Sequence, residues 1–320
     1  MLPLVGIHDD GAGSLVDERD LHVGSELAVL DLKAPLPVKP GEVGLRQSEA
    51  VFAHVKNLPG LTARLAEVLN GHRVLGVGVS AKPRDAEDSY MPCFLSGVAA
   101  ATAFAAGCGA PLLRFSHQNG HIMAALASSG EAECWKGHRF GAFHVSGGTT
   151  EMLMVTPRGN DFTVELVGGT ADLNAGQAVD RVGVALGLSF PCGPALENLA
   201  GQNTKKIPTP VVSVREGKCN LSGLENKALV LYRESGDAAL TAAYVQRFIA
   251  GTLEKMALWL RREDKDLPIL FAGGVMSNRT IAADLRAALG NVAFAEPAFS
   301  ADNAAGIAFL CRAELENREK

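Results

Sequence analysis

The chain has 320 residues, 47% hydrophobic and 20% charged, with 35 glycines, six cysteines and a formal net charge of −5. That length can bury a substantial core and leaves room for two domains of roughly 150 residues each. The negative balance excludes nucleic-acid binding through bulk charge, so a local basic strip or a partner subunit would have to attract any RNA.

Leu2 to Ile7 reads as a short strand running into a polar loop, His8 to Ser14, and the proline- and glycine-punctuated stretch Pro35 to Gly44 reads as another loop. Ser48 to Asn57 and Leu61 to Leu69 read as helices, and Val74 to Ser80 as an apolar strand before the polar loop Ala81 to Asp88. The Ala- and Gly-rich run from about Met91 to Cys108 is too short for a membrane span and reads as a buried helix. Pro111 to Phe115 is a strand that leads into a helix from about His117 to Ser128.

After Glu131 to Gly137 the character changes. Arg139 to Val145 and Met152 to Val155 are strands joined by the tight polar turn Ser146-Gly147-Gly148-Thr149-Thr150. A strand near Val164 to Val167 precedes a helix from about Asn174 to Leu186. Leu267 to Ala272 is a buried strand meeting Gly273-Gly274 and then a helix from Asn278; Asn291 to Ala295 is a strand, and Asp302 opens the last helix. Strands and helices interleave without an internal repeat, an α/β pattern of two lobes with a boundary near residues 130–138. Cys93, Cys108, Cys134, Cys192, Cys219 and Cys311 form no CxxC pair, and no secretory signal is evident; the expectation is a cytoplasmic protein without a disulfide framework.

His117 and His121 stand at i and i+4, so on a helix both imidazoles project from one face at a separation that one metal ion can bridge. The structural alternative is two polar histidines on a solvated face. Gln118 stands where a zinc metallopeptidase motif has its glutamate, so a hydrolytic zinc site lacks its general base. Asp302 reads first as a helix N-cap, where Asp is a preferred residue, and a carboxylate there could also complete a His/His/Asp metal set, which spacing alone does not decide. Ser146 to Thr149, Gly168-Gly169-Thr170-Ala171-Asp172 and Gly273-Gly274 are three glycine-rich turns whose backbone N–H groups can cradle phosphate, or serve as ordinary connections. None is a GxxxxGK(S/T) or GxGxxG motif. Together with the histidine pair they suggest a phosphorylated ligand clamped between two lobes.

At this level of detail the sequence resembles a known family. Ser116-His117-Gln118-Asn119-Gly120-His121 is similar to an HxxGH metal motif, and His144 to Thr150 to a VSGGHT turn. Gly176-Gln177-Ala178-Val179-Asp180 followed by Gly187 to Pro194 resembles AGEAFD and LGLxYPGGP. Ser222-Gly223-Leu224 resembles FSGLKT, Ala272 to Asn278 resembles AGGVxxN, and Asp302-Asn303-Ala304-Ala305 resembles TDNGA. These motifs run in the order of the TsaD type, the glycoprotease or peptidase M22 family, over about residues 70–312.

The resemblance implies a two-lobed actin-like ATPase (ASKHA) fold, with residues 1–130 plus the C-terminal helix (about 302–320) as the first lobe and 138–300 as the second. It implies a divalent ion, iron or zinc, on His117, His121 and Asp302. It implies contacts to an adenylate substrate or ATP/AMP from His144, Val145, Ser146, Gly147, Gly148, Asp180, Gly193 and Asn278. The implied activity is transfer of threonylcarbamoyl from threonylcarbamoyl-adenylate to N6 of adenosine 37 in tRNA, with TsaB-like and TsaE-like partners. No residue is singled out as catalytic.

Four stretches depart from the family pattern. Gly6-Ile7-His8-Asp9-Asp10-Gly11-Ala12 keeps the first strand but not the GIxTSxDxT-like loop, and residues 82–88 (Lys-Pro-Arg-Asp-Ala-Glu-Asp) replace an AGPG-type loop. Thr149 replaces the turn's histidine and Gln177 the following glutamate. The pattern is that of a diverged paralogue. Two other readings stand beside the transferase: a non-catalytic scaffold that binds metal and nucleotide, and a metallopeptidase.

Overall fold

The computed structural model describes residues 4–7, 13–17, 28–32, 34, 36, 46–69, 71–132, 134–135, 137–300 and 304–318. The chain divides into two compact units: Met1–Lys136 with Pro157–Thr163 and Ala301–Lys320, and Gly137–Thr156 with Val164–Ser300.

The first unit is built on β1 (Leu4–Ile7), β2 (Gly13–Asp17), β3 (Ala28–Leu32), β4 (Gly76–Lys82) and β5 (Leu112–Ser116), in the order β3-β2-β1-β4-β5. β1, β4 and β5 run parallel and β2 and β3 antiparallel to their neighbours. The strand β2 begins at Gly13, inside the segment expected to be loop. The two helices expected at 48–69 are one, α1 (Gln47–Val68), running through Pro59. Proline removes one intrahelical bond at a cost of about 3 kcal/mol. Ala50, His54, Leu61 and Leu65 nevertheless share one buried face across it, and that continuous burial outweighs the break. In α2 (Phe94–Cys108), Phe94, Gly97, Ala101 and Ala105 make a buried stripe while Leu95 stays exposed, so the helix is buried on one face only. Then come α3 (His117–Ser128) and, at the end of the chain, α9 (Ala305–Arg318), which packs on α3 and β4.

The second unit carries β6 (Phe140–Val145), β7 (Thr150–Arg158) and β8 (Asp161–Thr170) apart from their joining hairpin Pro157–Thr163, which belongs to the first unit, then α4 (Ala175–Ala185), α5 (Gly193–Ala200), β9 (Ser213–Arg215), β10 (Lys218–Asn220), α6 (Ser222–Ser235), α7 (Ala238–Leu260), β11 (Ile269–Ala272), α8 (Arg279–Leu289) and β12 (Val292–Phe294). Its strands form one sheet, β12-β11-β6-β7-β8-β10-β9, with β12, β11 and β6 parallel. Phe143, Met152, Phe248, Met256 and Phe271 are almost wholly buried around α7. Gly168 and Gly169, read from sequence as a turn, lie in β8. A side chain at Gly168 would collide with the Gly217 backbone and the Met152 methyl, so glycine is there to let the neighbouring chain close in. No described helix is long and apolar enough to cross a membrane.

Candidate functional site

In the first unit β5 passes into α3 without a loop. Ser116 ends the strand and caps the helix: its Oγ accepts from Asn119 N at 3.1 Å. His117 is therefore the first helical residue, and His121 sits one turn on. Their Nε2 atoms are 3.0 Å apart, their rings are nearly perpendicular with centroids at 4.3 Å, and Phe94 meets His117 edge-on. A separation of 3.0 Å leaves room for one ion bound by both nitrogens at the usual distance of about 2.0–2.1 Å. The pair fits two adjacent corners of a metal site. Asp302, the expected third ligand, lies outside the described residues, as does the loop His8 to Ala12. Among the described residues no group of three His, Cys, Asp or Glu side chains converges.

Sequence reasoning missed what surrounds this pair. Asn119 is fully buried and donates through Nδ2 to Asp161 Oδ1 (2.7 Å) and to the Phe162 carbonyl (2.9 Å) at the start of β8, just past its turn from β7. Burial raises the Asp161 carboxyl above its ordinary range, against the hydrogen bonds from Phe162 N and Asn119 that favour its charge. Gly120 lies backbone to backbone with Gly306 of α9. The departing loop 82–88 is tied down as well: Lys82 pairs with Asp85 at 2.8 Å, Arg158 with Asp85 at 2.6 Å, and Gln118 N donates to the Pro83 carbonyl at 3.0 Å.

In the second unit the anticipated turn closes between β6 and β7. Ser146 N donates to Thr149 O (2.7 Å) and Thr149 N to Ser146 Oγ (3.1 Å), leaving Gly147 and Gly148 exposed at the tip. The turn is fastened to the start of α4, where Gly176 N donates to Ser146 O (3.1 Å) and Ala175 N to Thr150 Oγ1 (2.9 Å). His144 stands half-buried at the carboxyl end of β6, in register with Ala272 of β11, while the Val145 side chain belongs to the core. Gly273, at φ +102°, has no space for a side chain against the Val145 backbone, so the Gly274–Ser277 turn lies on the end of β6. The carboxyl ends of adjacent parallel strands, flanked by helix N-termini, are where α/β sheets bind phosphorylated ligands.

The remaining expected residues also hold this region together. Asp180 Oδ1 accepts from Cys192 N at 2.8 Å, which sets the residue preceding Gly193. Glu197 of α5 accepts from Arg279 N at 2.8 Å, next to Asn278, whose own Oδ1 caps α8 by accepting from Ile281 N at 3.0 Å. Gln177 accepts from Asn174 N at 3.4 Å in a capping box, a role that amide and carboxylate fill alike.

Among solved structures, HypF of T. kodakarensis is similar with a TM-score of 0.62 at 14% identity, over 98% of this chain and 48% of HypF. Full-length HypF in its phosphate- and nucleotide-bound form gives 0.59 at 12% identity, over 100% of this chain and 47% of that one. The chain thus spans about half the length of the HypF chains it matches. These likenesses place the fold in the actin-like ATPase (ASKHA) class. The family model for TsaD, tRNA N6-adenosine threonylcarbamoyltransferase, matches residues 89–309. A curated tRNA N6-adenosine threonylcarbamoyltransferase from Verminephrobacter eiseniae (strain EF01-2) is 31% identical over 275 residues, 82% of this chain and 77% of the relative. The chain belongs to the TsaD family.

Proposed function

We propose that this protein transfers the threonylcarbamoyl group of threonylcarbamoyl-adenylate to N6 of adenosine 37 in tRNA. Membership of the TsaD family carries the proposal, and the converging Nε2 atoms of His117 and His121 support it. The N6 amine attacks the carbamoyl carbonyl carbon, the bond from that carbon to the adenylate oxygen breaks, N6 gives up a proton, and AMP leaves. A divalent ion, iron or zinc, on His117, His121 and Asp302 would polarise the acyl-adenylate. The exposed turn at Gly147 and Gly148 suits a phosphate, with His144, Asp180, Gly193 and Asn278 shaping the surround. The chain's contribution is orientation and electrostatic stabilisation, without a covalent enzyme intermediate.

A net charge of −5 makes help from TsaB-like and TsaE-like partners part of the proposal for tRNA binding. The test incubates the full chain with threonylcarbamoyl-adenylate, unmodified tRNA and candidate partners. Modified adenosine should appear with the wild-type chain and fall sharply with His117→Ala. No product, where another TsaD-family enzyme makes it, would leave the second reading, a non-catalytic scaffold. The replaced loop 82–88, tied back through Asp85 to Arg158, favours that second reading.

A further inference from the structure

We propose that Asn119 and Asp161 form a clasp that positions His117 and His121, setting the first turn of α3 before any metal arrives. The inference rests on reading the two histidines as metal ligands. Asn119 lies between them in sequence, but two residues along a helix is about half a turn round it, so its side chain leaves from the opposite face. It is a positioning residue that acts through the backbone.

Both Nδ2 hydrogens are spent on one short segment, on Asp161 Oδ1 and the Phe162 carbonyl, while Asp161 Oδ1 also accepts from Phe162 N at 2.9 Å. Among the described residues, Asn119 Oδ1 is buried without a hydrogen-bond partner. A residue kept only to fill space there would be apolar; the amide is kept for its two donors. The segment it grips is itself braced. Arg158 bonds Asp85, and Asn160 accepts from Asn317 at 2.9 Å and donates to Glu314 at 3.2 Å, both on α9. The turn at 158–161 thereby touches loop 82–88, α3 and α9, and Asn119 is its hold on the histidine-bearing helix.

The test uses the full chain with three substitutions and two readouts: hydrogen exchange at amides 117–122 without metal, and zinc affinity by competition with a chromophoric chelator. Asp161→Ala should speed exchange and weaken zinc binding by about tenfold, the lower end for loss of a partner that orients a ligand. Asp161→Asn keeps an acceptor oxygen for Asn119 and should stay close to wild type in both. If Asp161→Ala does not fold, Asn119→Asp takes its place, since it keeps the shape and turns the donors into acceptors. Unchanged exchange and zinc affinity in the clasp-breaking variant would overturn the proposal. So would an equal loss in folded Asp161→Asn. Should the wild type bind no zinc, the metal assignment fails, and exchange at 117–122 alone decides the clasp.

Discussion

Gly306 of α9 rests directly on the carbonyl of Gly120 in α3. A methyl group on Gly306 would overlap that oxygen, and one on Gly120 would come within 2.8 Å of Ile307 Cδ1. The two helices therefore cross backbone to backbone, at the residue between Asn119 and His121. This gives the glycine of the HxxGH-like motif a physical reason that has nothing to do with ligand contact: α9 occupies the space.

Gly306→Ala should therefore be costly. Overpacking against a rigid backbone costs about 3 kcal/mol, the upper end for added core atoms. A control is Gly107→Ala, at an exposed helical position with open space, where alanine should add about 0.5–1 kcal/mol. Urea midpoints of the two variants would check this. Equal midpoints would mean the close crossing does not exist in solution.

The second unit separates two kinds of glycine in one turn. A side chain on Gly176 would sit 2.6 Å from Gly147 N and Cα, whereas among the described residues nothing lies within 4 Å of one on Gly147 or Gly148. Gly176→Ala should then lower both stability and AMP affinity by moving the turn. Gly147→Ala should leave the urea midpoint nearly unchanged and still weaken AMP binding by about tenfold, or roughly 1.4 kcal/mol, by obstructing approach to the amides. Calorimetric titration with AMP on both variants distinguishes the cases, and undiminished affinity in Gly147→Ala would remove this turn from the nucleotide site.

These contrasts mark how far the sequence could be read. α3 was legible from His117 to Ser128 because the change from the strand Pro111 to Phe115 into helix is written in adjacent residues. The Ser146 to Thr149 turn was legible for the same reason. Gly168-Gly169 was misread because its cause is the approach of Gly217 and Met152, from elsewhere in the chain. α1 was split at Pro59 because the face that carries it across is visible only once packed. α7 escaped notice because its exposed stripe is narrow, Arg247, Lys255 and Leu258 with Glu254 beside them, and the rest of the helix is apolar and buried. Of the candidate site, residue types and spacing pointed to His117 and His121. Asn119 and Asp161, 42 positions apart, share no sequence signal that would join them.

Arg261 is buried, yet no carboxylate pairs with it by hydrogen bond in the described residues. Its guanidinium donates instead to the carbonyls of Leu267 (2.8 Å), Leu289 (2.7 Å), Gly290 (3.1 Å) and Asn291 (2.9 Å). Burial lowers its pKa, opposed by the charges of Asp266 and Asp264. Arg261→Met should destabilise by about 3 kcal/mol, because it strands buried carbonyls. Arg261→Lys should recover little, since an ammonium cannot span four acceptors laid out for a planar fork. Thermal unfolding would show it, and a lysine variant as stable as wild type would refute the fork argument.

Asp172 supplies a pH dependence whose sign can be worked out. Burial by itself would raise its carboxyl. Hydrogen bonds from the Ser222 hydroxyl and from the backbone N–H groups of Leu221 and Leu173, with the Asn220 amide, outweigh this and hold it far below the usual carboxylate range. A folded-state value below the unfolded one, about 3.9, means the stabilisation is fully present above roughly pH 5 and is lost as pH falls through 4 and lower. The unfolded chain takes up the proton first, and the segment 220–222 loses its anchor only when the folded chain follows. Asp172→Asn should lower stability at pH 7 and flatten the fall in urea midpoint from pH 5 to pH 2. Parallel falls for both proteins would mean that Asp172 does not drive the acid limb, and that the Ser222-Gly223-Leu224 segment is held at low pH by its packing alone.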